Sequence, residues 1–420
     1  MKRTALFFII ILLAFKSFSQ FSMDAQIRPR AEMRNGYKEM PTDSSVAAKL
    51  ITQRSRIGFN YKKGKILARI AIQDVRTWGD QKYKTNLPSS SMHEAWLEYF
   101  ITDSLSVKLG RSELIYDNQR LLSNTDWVQA ANVHDAAILK FRYSGWKFHL
   151  IQAWNQVGDP IYDTYYWSTN VSDFYKHLSV LWVNKKLGNF DISLVSISDG
   201  FQKKSVKNST YYRTTSGMNL IYKANNFEAI ARGYYQMGTD TSRNEISAFY
   251  ANSEIIYKIS AKSKLTLGCE VFSGKDAKDT SENKIRAFHT LYGTGHAFNG
   301  YMDIFTNIPK HTKNSGLVNP YLKYNFNPTE KLQLFVDLHY FALENNYLNA
   351  EGLAIDKYLA TELDLTFKYK VSKELSVMGG YSTMFVSSSY VLLRGGDKNV
   401  PGHWAWLAVN FTPTLFSSEN

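Results

Sequence analysis

Residues 22–34 carry the constraint that most narrows what this chain can become. Even positions read Ser22, Asp24, Gln26, Arg28, Arg30, Glu32 and Arg34; odd positions read Met23, Ala25, Ile27, Pro29, Ala31 and Met33. In a strand successive side chains face opposite ways, so one face is charged and the other apolar. A soluble sandwich would turn the charged face to water, whereas a membrane barrel would turn the apolar face to lipid and line its lumen with the charges. One strand leaves both readings open. Repetition favours the barrel: similar alternation recurs at 52–62, 94–100, 227–237, 264–272, 317–326, 332–341, 362–370 and 404–411. Residues 66–78 break the parity, with Arg69 on one face and Asp74 and Arg76 on the other, as a bulge would cause.

Turn chemistry sets the strand number. Short turns are expected at 62–65, 102–104, 144–145, 186–189, 223–226, 260–263, 327–330 and 372–374. Outer-membrane barrels have short periplasmic turns and long external loops. With both ends of the barrel periplasmic, these turns imply a single antiparallel barrel of about 18 strands. The span from 263 to 327 must hold two strands and a long segment, or hide a further turn. Aromatic residues make up 15% of the chain, with 27 Tyr and 25 Phe, and mean hydropathy is −0.32. That suits a polar lumen with aromatic girdles. Residues 1–19 read as a secretory signal peptide, with Lys2 and Arg3 before an apolar run at 5–15 that is too short to span a bilayer as a helix. Residues 20–420 form the barrel. The chain ends on an alternating segment, WAWLAVNFTPTLF, closing in Phe416.

Between two such strands, residues 112–133 are too long for an ordinary hairpin and too rich in Arg, Asp and Asn for a core. The stretch GR-x-E-L-x-Y-D-N-Q-R-L-L at 110–122, then D-W at 126–127 and H-D-A-x-x-L-K at 134–140, resembles the bacterial alginate-export outer-membrane porin family. So do QRSRIGF at 53–59, ARIAIQDVRTWG at 68–79, EAWLEY at 94–99 and FHTLYGTGHAFNGYMD at 288–303. The resemblance covers most of the chain after residue 19. It implies an 18-stranded barrel and export of an acidic polysaccharide.

Formal net charge is +13, and loss of Lys2, Arg3 and Lys16 with the leader would bring it to +10. Placement argues against nucleic acid as the partner, because the arginines fall on polar strand faces. The pore-lining candidates are Arg28, Arg30, Arg54, Arg56, Arg76, Arg111, Arg120, Arg142, Arg213 and Arg232. Glu32, Asp74, Glu94, Glu98, Glu113 and Asp117 are the carboxylates expected to share a charge network with them. Arginine stays charged at any relevant pH and grips carboxylates in pairs, so a ring of guanidinium groups selects anions. Alternatively, these arginines bind the chain's own carboxylates and fill a crowded lumen. Arg56, Arg111 and Arg120 are expected to converge if the insert folds inward.

His289, His296 and Asp303 recur seven apart, which matches no metal-ligand spacing. No G-x-S-x-G, H-E-x-x-H or phosphate-binding glycine loop occurs, so no enzyme, metal or cofactor is expected. Expected partners are outer-membrane lipid, an anionic polysaccharide or oligosaccharide, and periplasmic export or assembly factors. The expected location is the outer membrane of a Gram-negative bacterium. A general or uptake porin for small anions, and a non-conducting structural or adhesive barrel, are the alternatives.

Overall fold

The computed structural model describes residues 20–81, 89–166, 175–203, 206–279 and 284–418; the expected signal peptide lies outside them. The first nine strands are β1 (Gln20–Asn35), β2 (Ala48–Lys63), β3 (Ile66–Thr77), β4 (Ser90–Phe100), β5 (Leu105–Ser112), β6 (His134–Tyr143), β7 (Trp146–Trp154), β8 (His177–Leu187) and β9 (Phe190–Lys203). The second half continues with β10 (Val206–Ala224), β11 (Phe227–Thr239), β12 (Glu245–Ser260), β13 (Ser263–Phe272), β14 (Leu317–Phe326), β15 (Leu332–Ala342), β16 (Tyr358–Lys370), β17 (Leu375–Val386), β18 (Gly402–Phe411) and a short β19 (Thr414–Ser417). Every pairing is antiparallel, each strand from β1 to β18 pairs with the next, and β18 returns to β1. β19 extends β18 along β1 past an irregularity at Met23/Asp24. The barrel is therefore closed and leaves no lateral edge. All eight short turns fall where the sequence puts them. The span after residue 263 holds β13, β14 and one long segment between them. Short helices α1 (Ile308–His311) and α2 (Ser388–Arg394) sit in the long connections.

Cross-strand partners share a face, so register carries the parity of one strand round the ring. Arg28 opposite Arg54, and Arg30 opposite Ala408, put even positions of β1 and β2 inward. Ile27 and Met33 face outward and are exposed, as are Leu267 on β13 and Leu365 on β16. No helix among the described residues is long and apolar enough to cross a membrane; the outward strand faces supply the apolar band.

The core of a lipid-facing barrel lies inside. Here it is built by two long connections folded into the lumen, residues 113–133 and the described residues of the second, 273–279 and 284–316. Leu114, Leu122, Phe288, Met302, Ile304 and Phe305 are buried against inward residues such as Phe272, Phe341 and Trp404. Several residues of these loops adopt left-handed backbone without being glycine: Asp117, Gln119, Thr125 and Ala131 in the first, Leu291 and Asp303 in the second. For the β-branched Thr125, at φ 48°, this is a strained conformation. Such strain persists only where surrounding contacts over-determine it, and the lumen supplies those contacts.

Candidate functional site

The first loop is held to the wall by the arginines of β1 and β2. Arg28 donates to Asp126 Oδ2 at 3.0 Å, to the Asp126 carbonyl at 2.7 Å and to Gln129 Oε1 at 3.1 Å. Arg54, fully buried, donates to Asp126 Oδ1 at 2.6 Å and to the carbonyls of Val128 and Gln129 at 2.7 and 2.6 Å. Arg30 reaches the Trp127 carbonyl at 2.8 Å, and its guanidinium lies 3.9 Å from the Trp127 ring centre. A loop carbonyl buried without a donor would be costly; here guanidinium groups supply the donors. Burial pushes Asp126 upward, but Arg28 and Arg54 outweigh it and hold the carboxyl below its ordinary 3.8.

The sign of the pH dependence follows. A depressed carboxylate contributes stability above its unfolded value and loses it as pH falls through the folded value. Loop anchoring is therefore expected to be constant from neutral pH down to the ordinary aspartate range and to fail only below it. Channel noise recorded against pH checks this: a rise near pH 6 would show that another group controls the loop.

The far end of the same loop is fixed across the lumen. Arg120 donates to Glu270 on β13 at 3.1 Å, to Asn299 Oδ1 at 2.8 Å and to the Thr294 carbonyl at 3.3 Å. Asp117 accepts from Trp182 at 3.0 Å and Ser193 at 2.6 Å. The second loop is tied by Met302 N to Glu362 at 2.8 Å, by Tyr37 to Asp303 at 2.5 Å and by Tyr292 to Asp199 at 2.9 Å. The two loops meet in a parallel bridge, Leu122 to Tyr292. Ser123 N donates to the Tyr292 carbonyl and Tyr292 N to that of Leu121, at 3.1 and 3.0 Å. Trp127 stacks on His296 at 4.2 Å and 8°, and His296 bonds Asp303 at 2.9 Å. Burial pushes Asp303 upward; His296 and Tyr37 outweigh it and hold it low. Among the described residues no group of side chains is arranged to hold a metal.

The remaining candidates divide. Arg56 points into the lumen and donates to Gln73 at 2.9 Å, with Glu113 3.8 Å away. Glu113 accepts from His93 at 3.0 Å and Asn124 at 2.9 Å; burial pushes it up, but these donors and Arg56 bring it below its ordinary value. Arg213 forks onto Asp199 at 3.1 and 2.5 Å. Arg232 donates to Asn219, Asn252 and Glu254. Glu32 accepts from Arg30, Arg34 and Trp404; Glu94 from Arg69 and Trp96; Glu98 from Ser106 and Lys140. Arg142 shares the face of Lys140 and Lys147 near a short turn.

Five expectations need correcting. Asp74 and Arg76 pair with each other at 2.6 Å but face outward, because they oppose Ser55 and Gln53 across an unbroken β2–β3 register. The bulge lies in β4, at His93, where Ala71 opposes Glu94 and Ile72 opposes Met92. Arg111 opposes Ala95 and Asp135 on the parity of Leu109, so it faces away from the lumen and pairs with Asp135 at 2.7 Å. Asp117 bonds a tryptophan and a serine and no arginine. Arg56, Arg111 and Arg120 thus do not form one cluster; the arginines that converge are Arg28, Arg30 and Arg54, on Asp126 and its neighbours. Sequence reasoning left Asp126, Trp127, Gln129, Glu270, His296 and Asn299 out of the site, although D-W at 126–127 and the segment holding His296 are part of the motifs.

Solved structures share this fold at low sequence identity, among them the outer membrane protein OpdK of Pseudomonas aeruginosa. OccAB4 of Acinetobacter baumannii superposes with a TM-score of 0.65 at 12% identity, covering 94% of this chain and 98% of its own. OpdO of Pseudomonas aeruginosa gives 0.63 at 11%, covering 94% and 98%. OpdK of Pseudomonas aeruginosa, solved with vanillate, gives 0.62 at 10%, covering 94% and 99%. No curated protein sequence matches this one. The family model described as alginate export matches residues 19–390. An integral outer-membrane barrel with a loop-filled lumen and that match across its length belongs to the alginate-export family.

Proposed function

We propose that this barrel passes anionic solutes, and in particular an acidic polysaccharide of the uronate kind or its oligomers, without chemical change. The observation that carries the reading is the excess of guanidinium over carboxylate where the first loop narrows the lumen. Arg28, Arg30, Arg54 and Arg56 face Asp126, Glu32 and a more distant Glu113. Most of these arginines hold the loop, yet their charge remains, and in a half-desolvated passage it favours anions over cations. Arg56 alone of the four bonds a single neutral side chain, Gln73, and offers donors to a passing carboxylate.

Arg56→Gln is expected to lower the anion-to-cation permeability ratio about threefold, with heat-modifiable mobility on gels unchanged. Reversal potentials in a salt gradient measure it. An unchanged ratio would mean that the arginines serve the loop alone. A second reading, a porin for small anions or short oligosaccharides, draws on the parallel bridge across the lumen, which leaves little room for a thick polymer. Block by uronate oligomers of increasing length separates the two readings.

A further inference from the structure

The register that places arginines beside the loops also fixes what faces the lumen at the short-turn end. Lys62 on β2, Lys147 on β7, Lys186 on β8, Lys258 on β12, Lys264 on β13 and Lys370 on β16 all share the inward parity. Each is exposed. They are distributed round the barrel and lie within the last turns of strand before the periplasm. Among the described residues one of the six has an acid within 4 Å, Lys186 with Asp191 at 3.7 Å; Lys223, on the inward face of β10, pairs with Glu228 at 3.2 Å. The external mouth is different. There Glu39, Asp43 and Asp397 stand among Lys38 and Lys398 in neighbouring loops, so the signs are mixed.

A cavity of about 300 Å³ opens within this basic mouth, beneath the second loop. Lys264 and Lys323 stand on its wall with the rings of Phe298, Tyr301, Tyr321 and Phe335, and with two carboxylates, Glu254 and Asp337. Both carboxylates already pair with cations, Asp337 with Lys323 at 3.0 Å and Glu254 with Arg232 at 2.5 Å. The Lys264 side chain has no hydrogen bond or ion pair among the described residues. An ammonium group beside aromatic faces suits a sugar ring that bears a carboxylate: the ring packs its C–H edge on the aromatics while the charge finds the lysine. Lysine, a hydrated point charge, binds and releases more readily than a guanidinium fork. That matches a first, transient subsite on a path.

We infer that the cavity holding Lys264, Lys323, Tyr301 and Tyr321 is the first subsite for an acidic sugar unit, and that the lysine ring feeds it from the periplasm. This rests on the proposed anion passage and adds the place where the polyanion is first captured, a lysine subsite at the short-turn mouth. Fields of like charge focused by a low-dielectric wall raise the local concentration of a polyanion and its rate of capture, and salt screens them over about 8 Å.

The test uses the whole barrel in planar bilayers with trimers of a uronic acid added to one side at a time. The short-turn side is identified by a bulky aqueous label on Ala261→Cys, in a Cys269→Ala background. Trimer is expected to block at lower concentration from the short-turn side, and more so at low salt. Lys264→Gln is expected to weaken that block about five- to tenfold, with Lys264→Arg restoring most of it and block from the external side unchanged. Equal block from both sides, or no effect of Lys264→Gln, overturns the subsite while leaving anion passage standing. Absence of both block and anion preference from either side overturns the passage reading itself.

Discussion

Replacing Arg120 by methionine is expected to release the two lumen loops from the wall of β13 and to raise both the conductance and its noise. The guanidinium and the Glu270 carboxylate are sealed from solvent, at 0% and 1% side-chain exposure. Forming such a pair contributes little net stability, because desolvation offsets the attraction; removing one partner leaves a bare buried charge and costs about 3–5 kcal/mol. Glu270 would keep Tyr250, at 2.5 Å, and Asn319, at 3.4 Å, which solvate it only in part. Arg120 also holds Asn299 and the Thr294 carbonyl, so the second loop loses one of its ties to the first. The strands themselves are secured by complete ladders, and the cost should fall on the loops. Hydrogen exchange should therefore quicken at 119–124 and 290–299 while the barrel keeps its heat-modifiable mobility. Adding Glu270→Gln to Arg120→Met removes the uncompensated charge and should restore part of the protection. Unaltered conductance and exchange in Arg120→Met would show that the loops are held elsewhere.

The strand plan of this barrel was legible because it depends on local rules. Alternation in 22–34 assigns Arg28 and Ile27 to opposite faces without reference to any other strand, and a Lys-Gly-Lys or Asn-Pro-Thr-Glu turn announces itself. What could not be read is which group each inward side chain meets. Arg28 finds Asp126 98 residues away, and Arg120 finds Glu270 150 residues away. Nothing in the period of either segment encodes those distances. The motif residues Asp126 and Trp127 were visible as a pair, but only the folded lumen shows that Asp126 pairs with two guanidinium groups while Trp127 covers a third. The outward position of Arg111 was within reach, since it shares odd parity with Val107 and Leu109, which face lipid. Asp74 and Arg76 were harder: only a bulge in β3 would have turned them inward, and the sequence does not say which of two neighbouring strands takes the extra residue. His93, buried in β4, takes it.

Gly293→Ala probes the bridge between the loops without touching a charge. The Cβ it adds would lie 1.9 Å from the Arg120 carbonyl oxygen and 2.4 Å from its carbon. Both are backbone atoms, so no rotamer change relieves the overlap, and the segments must move apart. Separation breaks the bonds from Ser123 N to Tyr292 O, Tyr292 N to Leu121 O and Thr294 N to Gln119 O. At about 1 kcal/mol each when remade with water, their loss amounts to about 3 kcal/mol, with the strain of overpacking added. The left-handed residues Gln119 and Leu291, kept in place by these contacts, would relax as well. The expected result is a barrel that still assembles, conducts more, and discriminates less between short and long uronate oligomers, because the bridge that narrows the lumen has parted. Arg54 and Arg28 would still hold residues 126–129, so the anion preference should persist in Gly293→Ala, whereas it falls in Arg56→Gln. Loss of anion preference together with size discrimination would mean that the bridge and the arginines form one filter. Unchanged size discrimination would mean that the solute does not pass the bridge at all.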